Sequence, residues 1–277
     1  MKTKTVLWTL FAQVAFLAAA IGANAEPREC KGLRVIGLTD DQRLVAFRAC
    51  KPEKTRAIGF VSGVGSGDST LVGIDFRVQD EKLYGVGNGG GVYTLDPETA
   101  EASFVSQLSE ALSGTSFGVD FNPAADRLRI VSDTGQNLRH NVALATGGTT
   151  ADLPLSAPGV SGAAYTNNDL TVMGAPNTAT TLFDLNASTN EIAIQSPPNN
   201  GNLVATGALG VDPGSAVGFD VYSKLGRDGM AVANRGFASL VVDGAAGFYG
   251  VNLLTGKATR IGALGDTVVD VALPLDQ

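Results

Sequence analysis

Gly118-Val119-Asp120-Phe121 is the clearest copy of a four-residue pattern that recurs along the chain. The other copies are, in chain order, Gly73-Ile74-Asp75-Phe76, the weaker Gly162-Ala163-Ala164-Tyr165, Gly218-Phe219-Asp220-Val221 and Val268-Val269-Asp270-Val271. Successive copies begin 45, 44, 56 and 50 residues apart. A period of this length is much longer than one hairpin, so it indicates a repeated structural unit.

Each of the first four copies is followed by further short runs of strand-forming residues. Second runs lie at 83–86, 128–131, 170–173 and 230–233, third runs at 92–95, 181–185 and 248–251, and fourth runs at 103–105 and 259–261. Turn residues such as Asn88-Gly89-Gly90 and Thr255-Gly256 separate the runs. Four short strands in about 45 residues are typical of a β-propeller blade.

The two ends of the chain complete each other. The last copy, at 268–271, has no room for three further strands, whereas the runs at 33–38, 43–47 and 56–61 lack a first strand. Joined, they make one blade and leave no open sheet edge. We therefore predict an all-β fold, a β-propeller of five blades of four strands, closed by pairing of the C-terminal strand with the N-terminal blade. Four or six blades stay open, because the 56-residue unit carries additional residues at 195–212, and a β-sandwich or β-helix is the alternative fold.

The first 25 residues have the composition of an export signal. Lys2 and Lys4 precede an apolar run at 6–21, and Ala23-Asn24-Ala25 provides a cleavage site that would leave Glu26 first. A membrane anchor is the alternative, although the run is short for a span of about 20 residues. We expect a signal peptide over 1–25, a single propeller domain over 26–277, and a periplasmic or secreted protein without a membrane span after cleavage.

Cysteine usage and charge narrow the class of protein further. Cys30 and Cys50 are the only two cysteines, and in an oxidising compartment such a pair is expected to form a disulfide. Two free thiols or a metal clip are the alternatives. The formal net charge of −7, which becomes about −9 without the two signal lysines, is poorly suited to phosphate backbones, so nucleic acid is not an expected partner.

An aspartate occupies the same place in four of the five pattern copies. These residues are Asp75, Asp120, Asp220 and Asp270, with Ala164 at the remaining position. Because first strands are innermost in a propeller, the four carboxylates should lie near the central channel. Either each carboxylate accepts hydrogen bonds from backbone amides or a neighbouring arginine, or the group holds a Ca²⁺ ion, which prefers such oxygen ligands. Ca²⁺ is the one candidate cofactor.

Three further segments invite a functional interpretation. Arg127 and Arg129 point to the same face of a strand, where they could bind an anionic ligand or pair with Asp120 and Asp126. His140 lies in a polar stretch that we expect to be an exposed strand end or loop. The stretch at 85–90 matches the dinucleotide-binding pattern, but a strand-like run follows it instead of a helix, so we expect a glycine-rich hairpin.

The segment 117–141 resembles a family of exported bacterial proteins described as a domain of unknown function. The similarity rests on Gly118-Val119-Asp120-Phe121-Asn122-Pro123, Asp126-Arg127-Leu128-Arg129, Ser132-Asp133-Thr134-Gly135 and Gln136-Asn137-Leu138-Arg139. Further matching segments lie at 163–167, 195–201, 209–212 and 251–256, so the resemblance covers nearly all of the expected mature chain. It implies a propeller-like fold and export, and it brings no reaction, ligand or catalytic residue.

The sequence contains no P-loop and only one histidine. We therefore expect a non-catalytic binding or interaction platform, for another envelope or extracellular protein or for a small molecule at a propeller face. The alternative is a Ca²⁺-dependent hydrolase, in which the channel aspartates hold the ion and a carboxylate acts as base. A glycosidase would need two carboxyl groups about 5–10 Å apart in an open cleft.

Overall fold

The computed structural model describes residue 30 and residues 32–65, 67–169 and 179–275. The predicted signal peptide at 1–25 and the predicted strand at 170–173 lie outside the described residues. No helix within the described ranges is long and apolar enough to cross a membrane.

Five four-stranded antiparallel sheets make up the described fold. Blade one contains β1 (Arg34–Thr39), β2 (Arg43–Arg48) and β3 (Lys51–Phe60); blade two β4 (Leu71–Phe76), β5 (Leu83–Gly87), β6 (Gly91–Leu95) and β7 (Ala102–Gln107); blade three β8 (Phe117–Asn122), β9 (Arg127–Ser132), β10 (Asn137–His140) and β11 (Thr149–Ala151); blade four β12 (Val160–Tyr165), β13 (Leu182–Asn186), β14 (Glu191–Gln195) and β15 (Leu203–Ala208); blade five β16 (Pro213–Leu225), β17 (Ala231–Val242), β18 (Ala245–Val251) and β19 (Ala258–Ala263); and β20 (Val268–Ala272) returns to blade one. A short 3-10 helix, Pro198–Asn200, connects β14 to β15.

The C-terminal strand closes the ring. Strand β20 pairs antiparallel with β1, and Asp270 lies opposite Leu38. The innermost strands β20, β4, β8, β12 and β16 contact one another in turn around the axis. The prediction of a five-bladed propeller, completed by one blade built from both ends of the chain, is confirmed.

The glycine that opens four of the five pattern copies marks a close approach between neighbouring inner strands. A Cβ atom on Gly73 would lie 2.5 Å from Val119 Cγ2, and one on Gly118 would lie 2.4 Å from the backbone nitrogen of Ala163. Distances this short exclude any side chain, so glycine at these positions lets the inner strands pack tightly around the axis.

The hydrophobic core is divided among the five blade interfaces. Each of five buried clusters joins residues of two adjacent blades. Among the described residues, four of these clusters contain eleven to fourteen buried members, and the cluster between blades three and four contains six. In the part of the chain that is described, this interface therefore buries fewer apolar side chains than the others.

The disulfide between Cys30 and Cys50 is confirmed, with a Cα–Cα distance of 5.2 Å. It fastens the start of the described chain to the residue that precedes β3. Closing a loop of this length is expected to stabilise the fold by about 3 kcal/mol.

Blade four departs from the predicted strand assignment. The run at 181–185 was predicted to form a third strand, but β13 pairs directly with β12 and is the second strand of its blade. The additional residues of this unit lie between β12 and β13, at 166–181, and not at 195–212, which contains the 3-10 helix and the outermost strand β15. The apolar run at 170–173 resembled the second strand of the other units, which shifted the assignment of the following strand.

Candidate functional sites at the hub and between blades three and four

The four predicted channel aspartates lie on innermost strands and are buried. Carboxylate oxygens of Asp75, Asp120 and Asp220 lie within 4.8 Å of one another. Asp270 lies beside this trio, because its Oδ2 atom accepts a hydrogen bond from the amide of Ile74, the residue next to Asp75. We call these four residues the hub.

Each hub carboxylate accepts a backbone hydrogen bond from the next inner strand or the residue that follows it. The bonds run from Ile74 to Asp270 at 2.7 Å, from Phe121 to Asp75 at 2.7 Å, from Tyr165 to Asp120 at 3.0 Å, and from Leu273 to Asp220 at 2.6 Å. Ala164 provides no such acceptor on β12. Buried amides need acceptors, so these carboxylates fasten four of the five blade junctions at the axis.

Burial raises the pKa of every hub aspartate above its ordinary value of 3.8. For Asp75 the next cause is the negative charge of Asp220, and for Asp120 it is the charge of Asp75. The pKa of Asp220 rises to about 6. Crowded, desolvated carboxylates resist ionisation, so the hub retains protons at pH values where exposed aspartates are charged.

A cavity of about 350 Å³ lies at the end of the axis where the inner strands begin. We call it the axial mouth. All five blades line it, through Asp40, Gln42, Thr70, Leu71, Val72, Thr115, Ser116, Phe117, Ser161, Ser215, Ala216, Val217 and Val269. Thr115 and Ser215 are exposed, so hydroxyl groups of the mouth reach solvent. Asp75 lies four residues beyond Leu71 on β4, which places the hub about 13 Å deeper along the strand.

The predicted pairing of Arg127 and Arg129 with Asp120 and Asp126 is wrong. Arg129 lies opposite Asp120 in the β8–β9 register, but its long side chain extends away from the axis. There it donates a hydrogen bond of 2.8 Å to Asp152 Oδ2. Arg127 donates to the backbone carbonyls of Ala125 and Asp126. The Asp126 carboxylate instead pairs at 2.6 Å with Arg77 of blade two.

Arg129 is the centre of a buried polar network between blades three and four. Its guanidinium also donates to Asn137 Oδ1 at 2.7 Å, to Asn199 Oδ1 at 2.8 Å and to the Tyr165 hydroxyl at 3.3 Å. Sequence reasoning missed these partners because they come from separate segments. The signal in the sequence was the polar character of β10 and of the 195–201 segment.

Asp184 and Gln195 lie on adjacent strands of the same interface. Both carboxylate oxygens of Asp184 and the Oε1 atom of Gln195 are buried, without a hydrogen-bond partner among the described residues. Burial raises the pKa of Asp184 to about 8, although the positive charge of Arg129 opposes the shift. A neutral Asp184 at pH 7 is consistent with its surroundings, because an isolated buried carboxylate anion is costly.

His140 is buried, which contradicts the prediction of an exposed position. It ends β10, with Nε2 2.9 Å from Ser106 Oγ and Nδ1 3.0 Å from Thr149 Oγ1. Burial lowers the pKa of the imidazole to about 4. Ser106 is fully buried as well, so this serine–histidine contact lies inside the protein and has a structural role.

The glycine-rich hairpin is confirmed, and its amides bind a carboxylate of the chain itself. Asp68 accepts hydrogen bonds from the amides of Gly89 and Gly91 and from the Tyr93 hydroxyl. A Cβ atom on Gly89 would lie 2.0 Å from the carbonyl oxygen of Gly67. The glycines of this segment thus serve the packing of an internal aspartate.

Residues 43–272 match the family model described as Domain of unknown function (DUF4394). The chain belongs to this family. The DUF4394 match extends from β2 to β20 and includes all four hub aspartates and the Arg129 network. A comparison with curated proteins finds no match.

This DUF4394 protein is similar to solved structures at low sequence identity. One, described as "The de novo evolutionary emergence of a symmetrical protein is shaped by folding constraints", has 13% identity and a TM-score of 0.51, with 88% of this chain and 100% of that chain covered. A nidogen/laminin complex gives 8% identity and a TM-score of 0.48, covering 87% and 98% of the two chains. A protein of unknown function from Bacteroides thetaiotaomicron gives 12% identity and a TM-score of 0.44; 86% of this chain is covered but only 63% of that one. These likenesses concern the fold alone.

Proposed function

We propose that this DUF4394 protein is an exported, non-catalytic binding platform that holds a small polar molecule at its axial mouth. The observation that carries the proposal is that every hub carboxylate accepts a hydrogen bond from a backbone amide of the next blade. That amide belongs to the inner strand itself or to the residue that directly follows it. Carboxylates used in this way rigidify the ring, and a rigid ring presents a preformed surface for binding.

The axial mouth supports the second half of the proposal. It is the place where all five blades contribute side chains, and its volume of about 350 Å³ falls in the range of small-molecule sites. The Ser215 hydroxyl can donate and accept hydrogen bonds, and the hydroxyls of Thr115 and Ser161, which donate to Asp133 and to the Gly159 carbonyl, can still accept them, which suits a polar, uncharged ligand. A loop of another envelope or extracellular protein is the other occupant that this surface could take.

Two properties support export and disfavour nucleic acid. The Cys30–Cys50 disulfide is typical of proteins that fold in an oxidising compartment. The net charge of −7 repels a phosphate backbone. The expected signal peptide at 1–25 would supply the route of export.

The second candidate function is a Ca²⁺-dependent hydrolase. It is favoured by the three carboxylates, those of Asp75, Asp120 and Asp220, that approach within 4.8 Å, with Asp270 beside them. Ca²⁺ takes six to eight oxygen ligands, so three or four carboxylates could supply a large share of a coordination shell. The ion would polarise a substrate carbonyl or phosphoryl oxygen, with a hub carboxylate as base.

Thermal unfolding with EDTA and with added CaCl₂, together with calorimetric titration of CaCl₂, decides between the two functions. The platform predicts a melting temperature unaffected by either reagent and no heat of binding. A melting temperature that Ca²⁺ raises in the wild type but not in Asp120→Ala would favour the hydrolase and overturn the platform.

The axial mouth is tested with a panel of monosaccharides and amino acids in thermal-shift assays. Ser215→Trp would fill the mouth, and Thr259→Trp, on the exposed edge strand β19, is the matched control. We expect a ligand that stabilises the wild type and the control but not Ser215→Trp. Ligands that stabilise all three proteins equally would contradict binding at the mouth.

A further inference from the structure

We propose that the cleft between blades three and four is a second, separate binding site, for a small anion that carries a carboxylate or phosphate group. Arg127 and Arg139 would bind the anion, and Arg129 would form the positively charged back of the cleft. This site goes beyond the proposed function, because it shares no residue with the axial mouth.

A cavity of about 380 Å³ lies at the interface of blades three and four. Among the described residues, the buried apolar cluster at this interface has six members, against eleven or more in each of the other four clusters. Blade three supplies the arginines, and blade four supplies Tyr165 and the 3-10 helix Pro198–Asn200 as the opposite wall. A ligand in the cleft would therefore contact two blades at once.

The charges around the cleft are unbalanced. Three guanidinium groups line it, and no acidic side chain is among the described lining residues. Asp152 lies behind them and pairs with Arg129 at 2.8 Å and with Arg139 at 3.0 Å. One carboxylate for three guanidiniums leaves an excess of two positive charges, in a chain whose net charge is −7.

Other acidic groups near the cleft do not cancel this excess. The Asp126 carboxylate forms an ion pair with Arg77. The Asp120 carboxylate is directed to the axis, where it accepts a hydrogen bond from the Tyr165 backbone amide. Asp184 is buried and its pKa is raised to about 8, so it is largely neutral at pH 7. The positive potential of the cleft is thus preserved.

The arginines retain donors suited to an oxyanion. Arg139 uses its Nε for Asp152, and Arg127 uses its Nη1 for two backbone carbonyls. Their remaining N–H groups make no hydrogen bond within the part of the chain that the structure describes. Planar guanidinium groups bind carboxylate and phosphate oxygens through paired hydrogen bonds, whereas a neutral ligand gains much less from them.

The back of the cleft is fixed in place before any ligand arrives. The side chain of Arg129 is 4% exposed, and Asn137, Asp152 and Asn199 each hold one of its N–H groups. A site whose cationic back is already ordered loses little conformational entropy on binding. The Tyr165 hydroxyl and the side-chain amides of Asn199 and Asn200 could form hydrogen bonds with the rest of the ligand.

The experiment titrates the full-length protein with inorganic phosphate, citrate and neutral glucose at constant ionic strength, by calorimetry and by thermal shift. The test variant is Arg127→Gln/Arg139→Gln, which keeps Arg129 and its network. The matched control is Arg56→Gln/Arg260→Gln, an equal change of charge at exposed arginines of blades one and five. We expect an anion to bind and to raise the melting temperature of the wild type and control, with affinity at least about tenfold lower in the test variant.

Binding of phosphate alone, of citrate alone, or of both would support the site and identify the group that it recognises. No anion binding by the wild type, or equal weakening in the test and control variants, would overturn it. Ser215→Trp separates this result from the proposed function, because it fills the mouth and should leave anion binding unchanged.

Discussion

The Oδ1 atom of Asp120 accepts a hydrogen bond of 3.0 Å from the backbone amide of Tyr165, so a side chain of blade three holds the main chain of blade four. Both residues are buried. The carboxylates of Asp75, Asp220 and Asp270 accept equivalent hydrogen bonds at three other junctions between blades. The repeated carboxylates thus hold neighbouring blades together at the axis, as strand pairing holds the strands together within each blade.

Replacing Asp120 separates the contribution of the hydrogen bond from that of the charge. Asp120→Ala leaves the buried Tyr165 amide without its acceptor, which should lower the free energy of unfolding by about 1–3 kcal/mol. Asp120→Asn keeps an acceptor oxygen and removes a carboxyl group whose ionisation is unfavourable in the buried, crowded hub, so its stability at pH 7.5 should equal or exceed that of the wild type. Urea unfolding of the three proteins measures both effects. Equal destabilisation by the two substitutions would show that the negative charge itself is required, as a bound cation would demand.

Asp184 should make the protein less stable as the pH rises. Its pKa is about 8 in the folded state against an ordinary value of 3.8, so between these values the folded state binds the additional proton. Stability from this group is therefore complete below about pH 4 and is lost as the pH rises towards 8, by up to about 1.4 kcal/mol per pH unit.

The effect of Asp184 on stability is best measured between pH 6.5 and 8. This range lies above the pKa of Asp220, which is about 6, so the titration of Asp220 contributes little there. The free energy of unfolding of the wild type should fall more steeply across this range than that of Asp184→Asn, whose remaining slope comes from the other hub aspartates with raised pKa values. Parallel slopes for the two proteins would mean that Asp184 is ionised in the fold.

His140 should titrate far below an ordinary histidine. Its folded pKa is about 4 and its ordinary value 6.5, so stability from the neutral imidazole is present above pH 6.5 and is lost as the pH falls towards 4. Because the chain has one histidine, its ring resonances can be followed by NMR without ambiguity. They should not shift between pH 8 and 5.5, whereas in denaturing urea the same resonances should titrate near pH 6.5. A midpoint near 6.5 in the folded protein would place the ring in solvent.

The fold could be predicted because its determinants repeat. The glycine and the aspartate of the Asp120 pattern each recur on four of the five inner strands, and both serve the contact between neighbouring inner strands. The closing blade followed from the missing strands at the two ends. The run at 181–185 was misassigned as a third strand because the apolar sequence at 170–173 was counted as the second, whereas β13 pairs directly with β12.

The polar interface could not be predicted in the same way. Arg129 binds Asn137, Asp152 and Asn199, which come from three different segments, and no periodicity relates them. Local reasoning instead paired the arginine with the nearest acids in sequence. His140 was assigned to the surface because its neighbours are polar, yet Ser106 and Thr149 satisfy its ring nitrogens inside the protein.

The contact between the Asp68 carboxylate and the amides of the glycine-rich hairpin can be tested by substituting one of the glycines. Gly89→Ala would bring a Cβ atom to 2.0 Å from the backbone oxygen of Gly67, which cannot move without displacing the Asp68 carboxylate. We expect this substitution to lower the free energy of unfolding by about 1–3 kcal/mol, in the range of other substitutions that force a backbone shift. Gly265→Ala is the matched control, because its Cβ would meet nothing within 4 Å. If the two substitutions have equal effects on urea unfolding, the hairpin is loose enough to accept a side chain. Its amides would then be available to an external ligand, contrary to the hydrogen bonds that now bind them to Asp68.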